Sequence, residues 1–261
     1  MMKAFMYIAI LAAVPVLSFF SCGQRGTPAD TAIVSGTVSD FEGNPLGNVT
    51  VAWKGPDFND VVKTVSDESG RYEAVLPKGR YYSMIAVDFD RYPHTAAEGL
   101  PPEEMRLEFW GWNYIADKDT TLDIRYDRLE VYGLNAFRIQ GAYPAFTVFF
   151  RPMSLTRMIG QMEKGDDPNI HGAPDPSAAD IKVWIDGERV TVHTVRTIKE
   201  HIGGDNYADA YLMSVGLPSV ATEDPYHFFR VEMTDLDNGD RGEAVYFLEK
   251  AAYVNESQLT E

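Results

Sequence analysis

The fold is decided by one stretch, residues 33–53, which reads IVSGTVSDFEGNPLGNVTVAW. Every second residue is apolar or small over 34–38 and again over 49–53. Residues two apart lie on the same face of a β-strand, so each run predicts a strand with one buried face. The residues between the runs, 40–45, are rich in Asp, Gly, Asn and Pro, which favour turns. The stretch therefore predicts two strands separated by a turn.

The same pattern continues downstream. Tyr72, Ala74 and Leu76 alternate with polar residues, and turn-forming residues occupy 67–70 and 77–79. Trp53 is in phase with the apolar residues of its run, which predicts a core position for this large side chain. No segment before residue 90 has the spacing of an amphipathic helix.

The order of these residues resembles a known family. Residues 35–40, 43–46 and 49–51 form one block of the resemblance, and residues 64–72 and 76–81 form a second. Together they resemble the carboxypeptidase regulatory-like domain, a transthyretin-like β-sandwich, closely over 32–90 and loosely to 126. The resemblance implies an exported protein of the Bacteroidetes type. It implies no catalytic residues, because this family accompanies carboxypeptidases and a fold does not fix a function.

A second set of strands is predicted from Leu129 onward. Alternating apolar residues recur at 146–150, 181–185, 211–215, 229–233 and 244–248, and Asp186-Gly187 is a strong hairpin signal. Residues 153–163 have near-helical spacing and predict one short helix. The closing hairpin resembles the last strands of bacterial immunoglobulin-like domains. We therefore expect an all-β protein, with a transthyretin-like sandwich over 32–126 and an immunoglobulin-like sandwich over 127–250.

The first 22 residues predict export. A short basic start precedes an apolar run from Ala4 to Phe20, and Ser21-Cys22 follows. This leader, residues 1–21, resembles a bacterial lipoprotein signal peptide, which implies that Cys22 accepts the lipid. An uncleaved transmembrane anchor and ordinary signal cleavage are the alternatives. Residues 22–31 are then a tether, and residues 251–261 form a C-terminal tail.

Net charge and cysteine content limit the kinds of partner and covalent link that we expect for this chain. The formal net charge is −16, which leaves no large basic surface for nucleic acid. Cys22 is the only cysteine, so an intramolecular disulfide is excluded. We expect the membrane as one partner, through two acyl chains at Cys22, and a protein or a glycan as another. The expected location is the bacterial outer membrane, with the periplasmic face and the cell surface both open.

No motif predicts catalysis, a metal site or a cofactor. The five histidines (His94, His171, His193, His201 and His227) lack zinc-site spacing, and no Gly-x-Ser-x-Gly elbow occurs. The acidic turn at 235–240 places Gly239 and Tyr246 where an EF-hand loop requires other residues. A solvated hairpin turn and a calcium site of another type are the two interpretations of that turn.

Trp110, Trp112 and Tyr114 are the candidate ligand-binding residues. Alternating aromatic residues on one strand face form a flat platform on which a sugar ring can stack. Packing in the core is the alternative, and solvent exposure decides between the two. Tyr81 and Tyr82 are ambiguous in the same way.

The sequence favours a non-enzymatic envelope or cell-surface module that binds a partner or presents a surface. The first alternative is a glycan-binding lipoprotein that uses Trp110 and Trp112. The second alternative is an accessory to a hydrolase or a cryptic peptidase, suggested by the carboxypeptidase association.

Overall fold

The computed structural model of the chain describes residues 30–96, 99–139, 143–165 and 167–250. Within these ranges the regular structure is almost entirely β-strand, which confirms the all-β prediction. The strands are β1 (Thr31–Ser39), β2 (Thr50–Lys54), β3 (Asp60–Val65), β4 (Arg71–Pro77), β5 (Gly79–Val87), β6 (Phe109–Ala116), β7 (Thr120–Thr121), β8 (Ile124–Arg125), β9 (Leu129–Phe137), β10 (Phe146–Ser154), β11 (Ala179–Ile185), β12 (Glu188–Val190), β13 (Val192–Gly203), β14 (Asn206–Val215), β15 (Tyr226–Asp235) and β16 (Arg241–Glu249). The predicted leader, Cys22 and the predicted tail at 251–261 lie outside the described residues.

The helical segments in these ranges are short. The α-helix α1 (Leu155–Met162) lies inside the predicted window, and its N-cap Ser154 accepts a hydrogen bond from the Arg157 N–H at 3.3 Å. The segments Pro102–Glu104 and Pro176–Ala178 are single 3₁₀ turns. None of the helices in the described part of the chain has the length and apolar content of a membrane span.

The described strands form three sheets. The central sheet has eight strands in the order β12-β11-β15-β16-β6-β5-β2-β3. The first outer sheet has the order β4-β1-β7, and β8 also pairs with β1. The second outer sheet has the order β13-β14-β10-β9. The chain is therefore built from stacked β-sheets, as the sandwich prediction requires.

Each face of the central sheet packs on one outer sheet, and strand alternation assigns the side chains to the two faces. The first core lies against the first outer sheet, and its members include Val34, Val38, Val51, Trp53, Leu76, Phe109 and Tyr114. The second core lies against the second outer sheet, and its members include Ala52, Ile85, Trp110, Trp112, Val148, Phe150 and Phe229. Trp53 is fully buried, so its predicted core position is confirmed.

Strands from both sides of residue 127 hydrogen-bond in the central sheet. β16 pairs in parallel with β6, with Val245 opposite Gly111. A Cβ at Gly111 would lie 3.1 Å from Val245 Cγ2, so this close pairing favours glycine. The division of the chain into domains at 32–126 and 127–250 stays a prediction. The central sheet shows that the two segments are joined through a continuous set of backbone hydrogen bonds.

An ion-pair network also joins the two segments. Glu243 on β16 is buried, and its carboxylate accepts from Arg125 Nη2 at 2.6 Å and from Arg230 Nη1 at 3.0 Å. Burial raises the pKa of Glu243, whereas the two arginines lower it. Since Arg125 lies on β8, the network fastens the first outer sheet to the central sheet.

The predicted turns are present. At Asp186-Gly187 both residues have positive φ, 54° and 85°, as a type I′ hairpin requires. In two other predicted turns an aspartate carboxylate accepts backbone N–H groups: Asp40 accepts from Glu42 and Asn44, and Asp67 accepts from Ser69 and Arg71. These turns fix where the strands of the first segment begin and end.

Candidate ligand-binding site

The three aromatic residues predicted as a platform are buried. Trp110, Trp112 and Tyr114 on β6 are 6%, 8% and 1% exposed. They also do not share one face, because Asn113 has a φ of 50° and interrupts the alternation of the strand. The two indoles face the second core, and Tyr114 packs edge-on to Trp53 in the first core at 6.0 Å. This corrects the expectation of an exposed platform: the role that the structure shows for all three is packing.

The aromatic contacts continue from these indoles to the surface. Trp110 and Trp112 stack with ring centroids 4.7 Å apart, and Tyr132 on β9 packs edge-on to both. Tyr82 on β5 packs edge-on to Trp112 at 6.0 Å, and Phe58 packs on Tyr82 at 4.8 Å. We call these five residues the aromatic ladder. Its outer pair, Phe58 and Tyr82, is 44% and 47% exposed and presents aromatic surface to solvent.

Phe58 is held in a conformation that its residue type resists. It lies in the turn between β2 and β3, where its N–H donates to the carbonyl of Gly55 at 3.0 Å and its φ is 61°. Hairpin turns usually place Gly or Asn at such a position, because a Cβ makes the left-handed region unfavourable by about 1–2 kcal/mol. Lys54 further holds the turn, with its Nζ 2.7 Å from Asp60 and 3.5 Å from the Phe58 carbonyl oxygen. An exposed aromatic side chain is thus kept at a strained position.

Two buried polar groups below Tyr82 lack a hydrogen-bond partner within the described residues. They are the Trp112 indole N–H and the Ser83 hydroxyl. Trp112 on β6 and Ser83 on β5 are directly opposite each other in the sheet, so the two groups are neighbours. Buried donors are normally satisfied, but among the residues that the structure describes Trp53 and Arg106 carry unpaired buried groups as well, so these two groups show spare hydrogen-bonding capacity and do not by themselves mark a ligand.

The rim of the aromatic ladder carries opposite charges. Arg151 on β10 lies over the Tyr132 ring at 5.2 Å and pairs with Glu200 at 2.7 Å. The pair between Lys54 and Asp60 lies on the Phe58 side. Aromatic surface bordered by fixed polar groups can contact a ligand through both ring packing and hydrogen bonds.

A pair of buried carboxyl groups lies at the inner end of the aromatic ladder. The Trp110 Nε1–H donates to Glu108 Oε1 at 2.9 Å and to Glu130 Oε1 at 2.7 Å. The two glutamates are 8% and 2% exposed, and the shared indole donor holds their carboxyl groups next to each other. Burial raises the pKa of both groups, and the charge of Glu108 raises that of Glu130 further, to well above its ordinary value.

The acidic turn at 235–240 is occupied by protein groups. Arg157 on α1 pairs with Asp235 at 2.5 Å and with Asp237 at 2.6 Å. Asp240 accepts hydrogen bonds from Ser154, Thr156 and Arg128. Over the described ranges, no group of three or more His, Cys, Asp or Glu side chains is arranged to bind a metal ion. The structure therefore shows this turn as an anchor for α1, and Asp237 and Asn238 of the turn line an adjacent cleft of about 710 Å³.

Two of the five histidines form close pairs with aspartates. His171 Nδ1 lies 2.6 Å from Asp209 Oδ2, and hydrogen bonding to Asp209 raises the pKa of His171. His227 is buried, with its Nδ1 2.7 Å from Asp186 Oδ2. Such pairs orient an imidazole, but they define no reaction without a nucleophile placed against them. The expectation that the chain has no catalytic residues stays a prediction.

Part of this site was predicted from the sequence. The predicted residues included both indoles, and Tyr82 was noted as ambiguous, but Phe58, Glu108 and Glu130 were not predicted. For Phe58 a signal was present, because an aromatic residue stands between Asp57 and Asn59, where turn chemistry favours glycine. The two glutamates gave no signal, since they meet only through the packing of β9 on β6.

The chain matches no protein-family model and no curated protein. Among solved structures it is similar to a DUF3823 family protein from Parabacteroides merdae, with 12% identity, a TM-score of 0.25 and coverage of 85% of this chain and 100% of that chain. A Bacteroides uniformis protein provisionally described as carbohydrate-binding has 10% identity, a TM-score of 0.27 and coverage of 84% and 98%. The major pilin subunit of Bacillus cereus has 12% identity, a TM-score of 0.25 and coverage of 84% and 68%. Similarities this loose establish no family, and the carboxypeptidase regulatory-like assignment stays a prediction.

Proposed function

We propose that this chain is a non-enzymatic binding module that holds a glycan against the outer end of the aromatic ladder. The observation that carries the proposal is the exposed Phe58–Tyr82 pair, with Phe58 kept at a positive φ. Strained backbone persists where the surrounding structure maintains it, and it concentrates at binding sites. Folding alone would favour glycine or asparagine at position 58.

A sugar ring matches the chemistry of this surface. Its C–H faces pack on aromatic rings, and its hydroxyl groups both donate and accept hydrogen bonds. Lys54, Asp60 and the Tyr82 hydroxyl provide polar contacts around the rings. The buried Trp112 N–H and Ser83 hydroxyl provide further hydrogen-bonding capacity once Tyr82 shifts. An uncharged glycan also suits an acidic protein, because it is not repelled by a net charge of −16.

A protein partner is the second candidate, and one observation favours it. β3 is the edge strand of the central sheet, and Val61 and Val65 on it are 55% and 52% exposed. An exposed edge strand can accept an added strand from another chain. Binding that survives loss of the Phe58–Tyr82 pair but fails when a proline interrupts β3 would favour this candidate.

We expect weaker glycan binding from changes at the outer aromatic pair. Tyr82→Ala should weaken binding about tenfold or more, because it removes the ring that joins Phe58 to Trp112. Phe58→Asn should weaken binding similarly. Its stability should stay within about 1 kcal/mol of the parent, since relief of the strained backbone offsets the lost ring contact. A glycan array identifies the ligand, and calorimetry on each variant measures the affinity.

Tyr143→Ala is the matched control, because Tyr143 is 75% exposed and contacts no member of the aromatic ladder among the described ring pairs. It should leave the affinity unchanged. If no glycan binds the parent protein, or if the Tyr82 and Phe58 variants bind as tightly as the control, the glycan proposal is wrong.

The module is proposed to be tethered to the outer membrane by acyl chains on Cys22. Support comes from the leader at residues 1–21 and from Cys22 being the only cysteine. The carboxypeptidase regulatory-like resemblance is consistent with an exported protein of this kind. A tether would place the binding surface at the envelope, where glycans and protein partners both occur.

Cys22→Ala is expected to abolish incorporation of labelled palmitate and to release the protein from the membrane fraction. Two acyl chains provide stable anchoring, so a protein that lacks them should no longer stay with the membrane. Fractionation with surface proteolysis measures both the attachment and the face on which the protein lies. Membrane attachment that is unchanged in Cys22→Ala would contradict the lipid anchor.

A further inference from the structure

The buried carboxyl pair meets at one indole. Glu108 lies just before β6 and Glu130 lies on β9, and both accept from the Trp110 indole. Two adjacent carboxylates in a buried site repel each other strongly when both are ionised. A single proton shared between them relieves the repulsion, because one group is then neutral and can donate to the other.

The groups that face the pair come from four neighbouring segments. Lys54 on β2 acts on Glu108 and Arg151 on β10 acts on Glu130, each through its charge. Both cations are engaged elsewhere, with Asp60 and Glu200 respectively. Tyr92, from the segment after β5, and Tyr132 on β9 also face the pair, and burial raises the pKa of both, so they stay neutral. Each cation lowers the pKa of the carboxyl group that it faces, but burial has the larger effect on both groups and raises their pKa.

We propose that the Glu108–Glu130 pair shares one proton and regulates the aromatic ladder, so that loss of this proton as the pH rises weakens ligand binding. The inference rests on the proposed function, because its output is affinity at Phe58 and Tyr82. The pair reaches that surface through continuous contact: Trp110 stacks on Trp112, and Trp112 packs against Tyr82.

The step requires no reactant other than water. The shared proton leaves the pair for solvent water, and only the O–H bond that held it is broken. Both groups are then anionic around one indole N–H, and their repulsion separates them. Trp110 can follow only one of the two acceptors, so its stack on Trp112 must shift.

The same proton links stability to pH in a defined direction. The folded protein holds it more tightly than the unfolded chain, since the pKa of Glu130 is raised in the folded state. Its stabilising contribution is therefore complete below the unfolded pKa of about 4.3 and is lost as the pH rises through the folded pKa. Glutamine at position 130 mimics the protonated carboxyl, so Glu130→Gln should remove this loss.

Indole N–H resonances test the proposal on the full chain without ligand. The protein has four tryptophans, and Trp110→Phe identifies the resonance of Trp110. Between about pH 5 and about pH 9 that resonance should titrate in the parent and stay constant in Glu130→Gln. In Glu73→Gln, which has the same substitution at an exposed position on β4, the Trp110 resonance should titrate as it does in the parent.

Affinity for the array-identified glycan supplies the second readout. We expect it to fall about tenfold between pH 6 and pH 9 in the parent and to stay level in Glu130→Gln. A constant Trp110 resonance overturns the proposal, and so does a titrating resonance with pH-independent affinity. A protein that titrates at Trp110 but binds no glycan at any pH contradicts the proposed function instead, because the ligand-free measurement has then separated the two.

Discussion

Asp240→Ala is expected to lower the free energy of unfolding by about 3–5 kcal/mol. The Asp240 carboxylate is buried and accepts from the Ser154 hydroxyl at 2.7 Å, the Thr156 N–H at 2.9 Å and Arg128 Nε at 3.1 Å. Alanine would remove the acceptor of Arg128 Nε, of the Ser154 hydroxyl and of the Thr156 N–H. Denaturant unfolding followed by circular dichroism measures the loss.

Asp237→Ala provides a control within the same turn. The Asp237 side chain is 63% exposed and pairs only with Arg157 among the contacts described, at 2.6 Å. An exposed ion pair contributes about 1 kcal/mol or less, so we expect a small change. Equal losses at the two positions would contradict the distinction between a buried anchor and a solvated acidic residue.

This turn shows what the sequence predicts well and what it does not. Turn residues at 235–240 and alternation on either side predicted the closing hairpin, because both signals are local. The carboxylates instead meet partners such as Arg157, which is 78 residues from Asp235 in the chain. Only tertiary packing brings such groups together, so both interpretations of the turn, a calcium site and a solvated turn, stayed open at the level of the sequence.

The assignment of β6 side chains to one face of the sheet was wrong because of one residue. Strict alternation along β6 places Trp110, Trp112 and Tyr114 on one face. Asn113 adopts a left-handed conformation and donates its Nδ2–H to the Phe247 carbonyl at 2.6 Å, which reverses the face that Tyr114 presents. Asparagine tolerates that conformation, but its presence alone does not predict it. The exposed aromatic surface consequently lies one contact further out, at Phe58 and Tyr82.

The joining of the two segments was also beyond sequence reasoning. β6 and β16 pair in parallel although more than 100 residues separate them, as in the pair of Trp110 with Ala244. Parallel pairing requires a long connection and leaves no turn signal between its partners. Alternation predicted strands such as β1, β4 and β15 together with their buried faces, whereas the order of strands in the central sheet was not predictable.

Gly242→Ala is the other change for which we expect a large effect. Gly242 lies in β16, where a Cβ would be 1.8 Å from the carbonyl oxygen of Leu129 and 2.6 Å from its carbonyl carbon. Both obstructing atoms are backbone, so no side-chain rotation can relieve the overlap. Overpacking costs about 1–3 kcal/mol when side chains can adjust, and we expect about 3 kcal/mol or more here. Thermal and denaturant unfolding measure it.

Gly160→Ala is the matched control, since the same methyl group is added in a different setting. Gly160 lies in α1 with nothing within 4 Å of the added Cβ, so alanine should raise stability by about 0.5–1 kcal/mol through helix propensity. The two substitutions should therefore change stability in opposite directions. A Gly242→Ala protein as stable as the parent would contradict the close backbone contact between Gly242 on β16 and Leu129 at the start of β9. Because Glu130 follows Leu129 directly, that result would also contradict the position of Glu130 beside Trp110.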